Sequence, residues 1–493
     1  MLVPFRAEAE IRLPGVFSDH AVLQREAPIH VWGAAKPGEA INVALDEDSA
    51  SDVADGFGFW EVYLPARKAG GPYMLRITGA AGTPAIERRD ILVGDVWFAS
   101  GQSNMEMPLQ GFVKSSSPVK GGDKEIASAN SPVIRLFLQK RRTAMAPMSD
   151  TEDSWAVVTP ESAASFSAVG YFFARNIQKH EQAPVGVIQA AWGGTPAHAW
   201  LSAEGISWSA LNSVGLEAGA LARQQSFADE VQSNAANIQA VTGEAPKAVD
   251  HKYSWIASST FNAMVSPFTK YAIRGWIWYQ GEADGGGFRS SSYSRVFPAL
   301  IQDWRSQWRQ GSLPFIFVQL SSYGRGESWG AVRDAQRRAL DLVNTGMAVT
   351  LDVGQADNVH PPDKRTVGDR LASAAFRVAY GDAKSGLSPS FVRTTVEGSS
   401  IRAWFANAET LNSRDQALGD FEIAGADHRF VPAKARIETM AGVATIAAAA
   451  EGVSEPKFIR YGWSPVVRSY VYNSSGLPLG AFTSESAEQL VSP

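Results

Sequence analysis

The chain has no cysteine. That one absence removes disulfides, thiolate metal sites and cysteine nucleophiles together. It fits a reducing compartment and a bacterial periplasm equally well. No apolar run approaches the roughly 20 residues needed to span a bilayer, so membrane insertion is not expected. An excess of positive charge is missing too. Lys and Arg number 45 against 50 Asp and Glu, a formal charge of −5, which provides no basic surface for nucleic acid or anionic membrane. Histidine is scarce at seven residues, and none of them forms a His-x-His or His-Glu-x-x-His run. The start, Met1-Leu2-Val3-Pro4-Phe5-Arg6, lacks a charged segment followed by a long apolar one, so the expectation is a cytoplasmic protein or one whose secretion signal has been removed.

What is present is a soluble globular composition, 45% apolar and 19% charged over 493 residues, long enough for two or three domains. From about 10 to 88, short runs such as Ile29 to Trp32, Ile41 to Leu45, Phe59 to Leu64 and Tyr73 to Ile77 are separated by Gly and Pro, the pattern of an all-β sandwich. From 89 the rhythm changes. Strand-like runs at Ile91 to Phe98, Val185 to Ala190, Ile273 to Tyr279, Phe315 to Leu320 and Met347 to Leu351 alternate with helical patterns over about 167–180, 294–309, 330–343 and 365–379. Alternation of this kind implies an α/β domain, a parallel sheet with helices on both faces. An Ala-, Ser- and Gln-rich stretch at 203–258 interrupts it as a helical insertion, with His251 inside it. Beyond 386, strand patterns return at Ile401 to Phe405, Arg436 to Glu438, Val443 to Ile446 and Val467 to Tyr472. The expected division is therefore an N-terminal β-sandwich module (1–88), an α/β domain (89–385) and a C-terminal β module (386–493).

Four polar elements each follow a strand-like run of the middle domain. Phe98-Ala99-Ser100-Gly101-Gln102-Ser103-Asn104-Met105 places a serine behind a glycine at the carboxyl end of a strand, where α/β sheets hold their ligands. Asp357-Asn358-Val359-His360-Pro361 puts an imidazole and a carboxylate on one short loop. The imidazole can take a serine proton while the carboxylate fixes its tautomer. Trp192-Gly193-Gly194-Thr195-Pro196 and Gln280-Gly281-Glu282-Ala283-Asp284 offer backbone N–H groups and a side-chain amide suited to an oxyanion. Each element alone reads equally well as a turn or a surface loop; the four together read as the rim of an active site.

In this order, Gly-Gln-Ser-Asn-Met, Trp-Gly-Gly-Thr-Pro, Trp-Tyr-Gln-Gly-Glu and Asp-x-x-His-Pro, the motifs resemble those of the sialate O-acetylesterase-like carbohydrate esterases of the SGNH hydrolase superfamily. The resemblance runs from Leu13-Pro14-Gly15-Val16-Phe17 to Arg460-Tyr461-Gly462-Trp463. It implies a three-layer α/β/α fold flanked by β-sandwich-like modules, and removal of O-acetyl groups from carbohydrates, with sialate and acetylated plant-wall glycans both open. It implies Ser103 as nucleophile, His360 as base and Asp357 as its orienting acid, with Glu282 the rival carboxylate. Ser103 N–H, a glycine of the Gly193-Gly194 pair and Gln280 would form the oxyanion hole; the superfamily's usual Asn of the third block is Gln280 here. Gln102, Asn104, Trp192, His198 and Glu282 are further candidates for substrate contact. The reading needs no metal or organic cofactor, and it favours a periplasmic or secreted location. Ser100 is the nearest competing hydroxyl. Two other classes stand against this one: a metal-dependent hydrolase, for which Asp352, Asp357 and His360 are a thin ligand set, and a non-catalytic carbohydrate-binding protein, which 15 Trp would suit.

Overall fold

The computed structural model describes residues 11–112, 117–209, 253–286, 288–325 and 328–486. Six strands build the N-terminal module: β1 (Val22–Gln24), β2 (Ile29–Ala34), β3 (Ala40–Leu45), β4 (Asp48–Val53), β5 (Phe59–Leu64) and β6 (Gly70–Thr78). β5 shows why they form. Its strict alternation buries Trp60, Val62 and Leu64 and exposes Phe59, Glu61 and Tyr63, the period-two signature of a half-buried strand. β2 pairs antiparallel with β5, while β3 pairs with β4 and β6.

The next strand, β7 (Ile86–Gly101), is 16 residues long. Its first half pairs with β6 and β1, and its second half, from Asp95 onward, lies between β10 (Val185–Ala191) and β11 (Gly275–Tyr279). The expected boundary at 88/89 therefore falls inside one continuous strand that both modules share. Around β7 the sheet continues with β8 (Ser131–Leu138), β9 (Trp155–Val158), β12 (Phe315–Gln319) and β13 (Thr345–Val349), in the order β13-β12-β11-β7-β10-β8-β9. All of these neighbours are parallel except β9, which runs antiparallel to β8. From β7 the chain goes first to the β8 and β10 side, then crosses to β11, so the strand order reverses at β7. That reversal opens a crevice at the carboxyl ends of the strands.

Successive side chains of β7 point to opposite faces. Trp97 meets Phe173 of the helix Ala168–Glu181 at a ring separation of 5.0 Å, and Phe98 meets Trp304 and Trp308 of the helix Phe288–Trp308 at 5.7 and 5.4 Å. Helix Lys364–Ala379 packs with the first, helix Trp329–Arg338 with the second. This is the expected α/β fold. No helix among the described residues is long and apolar enough to cross a membrane. Of the 203–258 insertion, helix Ala203–Trp208 is seen, while 210–252, with His251, lie outside the described residues.

The C-terminal module contains a four-stranded antiparallel sheet, Ser390–Glu397, Ser400–Ala406, Val443–Ala449 and Lys434–Met440 in spatial order, beside a second small sheet. The expected strand over Val467 to Tyr472 is not formed; only Tyr472–Asn473 pairs. The run is apolar because it is buried against the α/β domain, where its polar backbone is met by side chains: Ser322 Oγ accepts from Val467 N–H, and Asp420 accepts from Arg468 and Ser469 N–H. Fully buried Arg333 joins the two units. Its guanidinium donates to the carbonyls of Leu320 and Ser321 on one side and of Gly462, Ser464 and Pro465 on the other.

Candidate active site

β7 ends at Gly101, whose φ is +136°, and a Cβ there would lie 2.1 Å from the Tyr279 carbonyl oxygen. Only glycine allows this turn at the switch point. Gln102 follows, its N–H on the Tyr279 carbonyl at 3.0 Å and its Oε1 accepting from Ala283 N–H at 3.0 Å. Helix Ser103–Glu106 then starts with Ser103, half-buried. Ser100 is fully buried and its hydroxyl is sealed from solvent, which disposes of it as a rival nucleophile.

Asn104 ties the Ser103 turn to the His360 loop. It is buried, and its Nδ2 donates to the carbonyl of Val359 at 2.9 Å and to Glu282 Oε1 at 2.5 Å. The residue after Ser103 is thereby bonded to the residue before His360. His360 is half-buried, holds Asn358 Oδ1 on its backbone N–H at 2.9 Å, and packs edgewise on Phe112 with ring centres 5.1 Å apart. Burial, and next the charge of Lys364, lower its pKa to about 4. The imidazole is therefore neutral at physiological pH, the form a general base requires.

The carboxylates are arranged differently from the expectation. Asp357 is exposed and makes no hydrogen bond to His360 among the described residues. The cause lies in the turn: Asn358 N–H closes on the Gln355 carbonyl at 3.3 Å and Gly324 N–H holds the Ala356 carbonyl at 2.8 Å, leaving Asp357 at the outer tip. Glu282 is turned to Asn104 rather than to His360, and burial raises its pKa. Asp352 is engaged in a two-pronged pair with Arg370 at 2.6 and 2.7 Å, so it braces helix Lys364–Ala379.

Of the two glycines expected as oxyanion donors, Gly193 lies against Ser103: a Cβ on it would sit 3.1 Å from Ser103 Cβ. Its N–H donates to Glu106 Oε2 at 2.7 Å, and Glu106 Oε1 accepts from Arg141 at 2.5 Å. The N–H groups of Ser103 and Gly194 make no hydrogen bond among the described residues. Gln280 is fully buried, and both hydrogens of its amide are taken, one by the Thr195 carbonyl at 3.2 Å and one by Asp284 at 2.5 Å. Its Oε1 accepts from Tyr293 at 3.0 Å. Asp284 in turn accepts from Ala197 N–H at 2.9 Å. In this arrangement Gln280 buttresses the Gly193-Gly194 loop from beneath.

The substrate-contact candidates divide in the same way. Gln102, Asn104 and Trp192 are buried among protein groups, whereas half-buried His198 is held by the Trp255 carbonyl at 2.9 Å. Sequence reasoning missed Glu106, Arg141 and Lys364. The one available signal was Lys364, four residues past His360 and so one short turn away.

Comparison with known proteins identifies the family. The model of the family described as carbohydrate esterase, sialic acid-specific acetylesterase matches residues 93–377, more than half of the chain. The mouse and human sialate O-acetylesterases are each 29% identical, covering 75% of this chain and 74% and 71% of theirs. A solved carbohydrate acetylesterase from Xanthomonas citri is 33% identical, superposes with a TM-score of 0.82, and covers 97% of this chain and 100% of that one. The chain belongs to the carbohydrate esterase, sialic acid-specific acetylesterase family and is a carboxylic ester hydrolase of carbohydrate O-deacetylation.

Proposed function

We propose that deacetylation runs through an acetyl-enzyme on Ser103. Ser103 Oγ attacks the acetyl carbonyl while His360 takes its proton. The imidazolium returns that proton to the departing sugar hydroxyl, and a water deprotonated by His360 then releases acetate. The developing oxyanion is met by Ser103 N–H and by the Gly193-Gly194 loop, with Gln280 holding that loop in place. Asp357 orients the imidazole after its exposed side chain rotates inward from the tip of the turn. The observation that carries the reading is the Asn104 bridge, which fixes the serine turn at the carboxyl end of β7 to the backbone beside His360 at 2.9 Å.

The substrate is an O-acetylated carbohydrate met outside the cytoplasm, in the periplasm or after secretion. O-acetylated sialate and acetylated plant-wall oligosaccharide or polysaccharide form the two arms of the test. Purified protein is given each in turn and released acetate is measured, with Ser103→Ala in parallel. Release from one arm by the wild type, absent in Ser103→Ala, supports the reading. Equal release by both proteins refutes the nucleophile, and no release from either arm refutes the substrate class.

A further inference from the structure

Lys364 is fully buried at the first position of helix Lys364–Ala379. Both circumstances oppose a cation: burial removes its hydration, and the helix start carries the positive end of the dipole. A lysine kept in such a place has a local reason. Its ammonium donates to Asn104 Oδ1, and it lies over the Tyr279 ring, 5.5 Å from the centre. Asn104 Nδ2 carries the connection on, to Glu282 Oε1 and to the Val359 carbonyl. Glu282 Oε2 is buried without a hydrogen-bond partner, and Lys364, Asn104 and Glu282 form one buried polar cluster.

We propose that Lys364 is a positioning residue for the deacetylation, acting through Asn104 to lock the Ser103 turn and the His360 loop into one geometry. A side-chain amide is two-sided. With the ammonium on Oδ1 and the two acceptors on Nδ2, every polar atom of the Asn104 amide is satisfied; without Lys364, Oδ1 is left buried with no donor and the bridge beside His360 is weakened. The charged and titratable groups facing Lys364 are Glu282 and Tyr279 from the β11 end, Asp363 from its own helix cap and His360 from the preceding loop. Burial lowers the Lys364 pKa to about 7, so it is charged throughout the acid range in which His360 titrates.

This inference rests on the proposed roles of Ser103 and His360, and the test separates the two. Wild type, Ser103→Ala, Lys364→Met and Asn104→Ala are compared by acetate release from the same acetylated carbohydrate, with thermal melts to confirm folding. Lys364→Met removes lock and charge together. It is expected to lower kcat about 10- to 100-fold with KM within threefold, and to move the acid limb of kcat/KM upward by about 0.5 to 1 pH unit, because removing a nearby cation stabilises the imidazolium. Asn104→Ala removes the lock alone: kcat is expected to fall similarly, with the acid limb unmoved. A folded Lys364→Met with kcat within threefold of wild type and an unmoved limb overturns the proposal. Where Lys364→Met is not recovered folded, Asn104→Ala decides, and kcat within threefold of wild type overturns it. Activity that survives in Ser103→Ala refutes the site itself; an inactive Ser103→Ala beside wild-type-like Lys364→Met and Asn104→Ala refutes only the role of Lys364.

Discussion

The two halves of the site are built to different standards. On the serine side, Gln102 and Asn104 are held from three directions, Gln102 by the Tyr279 carbonyl and the Ala283 N–H and Asn104 by the Val359 carbonyl. On the acid side, Asp357 stands exposed at the tip of a turn whose backbone is fixed while its carboxylate is not. On the proposed reading, the turn that carries Ser103 is therefore fixed before substrate arrives. On the same reading, Asp357 reaches His360 by a side-chain rotation. Precision is concentrated where bonds are made.

The largest expected effect breaks the serine side. Ser103→Ala should lower kcat by about 10³-fold or more with an unchanged melting temperature, since no other accessible hydroxyl in the constellation can form the acyl-enzyme. Turnover near wild type would mean that the nucleophile is elsewhere. The acid side is probed by Asp357→Asn beside Glu282→Gln. The first should lower kcat about 10²-fold or more through a misoriented imidazole, the second less than about tenfold, because a glutamine still accepts from Asn104. The reverse order would transfer the orienting role to Glu282.

Gln280→Ala sharpens the contrast between buttress and donor. It leaves the Asp284 carboxyl and the Thr195 carbonyl buried with a partner lost, a loss of about 1–3 kcal/mol per orphaned group, visible as a lower melting temperature. A kcat loss of about 10²-fold at unchanged stability would instead make Gln280 a direct oxyanion donor. The smallest effect is in pH. His360 titrates at about 4, below its ordinary 6.5, so kcat/KM should rise through pH 4 and be flat above 6. The same depression makes the unfolded chain bind more protons between those values, so stability should rise with pH across that window. An acid limb near 6.5 would place the imidazole in water.

Much of this was readable from the chain because the informative residues sit at strand ends, where a glycine and a polar residue stand out against an apolar run. Ser103 and the Gly193-Gly194 loop stand out that way, and β10, β11 and β12 are legible to within a residue or two. β8 and β9 were not found: the first begins Ser131-Pro132 and the second has only four residues. Spacing suggested that Asp357 reaches His360, but spacing carries no information about which way a turn points. Glu106 reaches Gly193, Arg141 reaches Glu106 and Lys364 reaches Asn104 across the fold, and no local pattern announces a partner that distant. The strand expected at Val467 to Tyr472 was misread for a related reason, since an apolar run reports burial and not what the backbone bonds to.

Arg333 has a consequence for how the molecule can vary. Every acceptor on its guanidinium is a main-chain carbonyl, so the joint between the α/β domain and the C-terminal module reads the path of the chain and is blind to the side chains along it. Exposed Ser464 can vary as long as that path is kept, whereas buried Gly462, with φ of +64°, and Trp463, packed on Gly330, cannot. Shortening the loop there, or grafting the module from a relative with a different loop, strands a desolvated cation. Lysine is no substitute, because its three hydrogens cannot serve five carbonyls set out for a planar fork. The C-terminal module is thereby an inheritance of the fold that cannot be trimmed away from the esterase it accompanies.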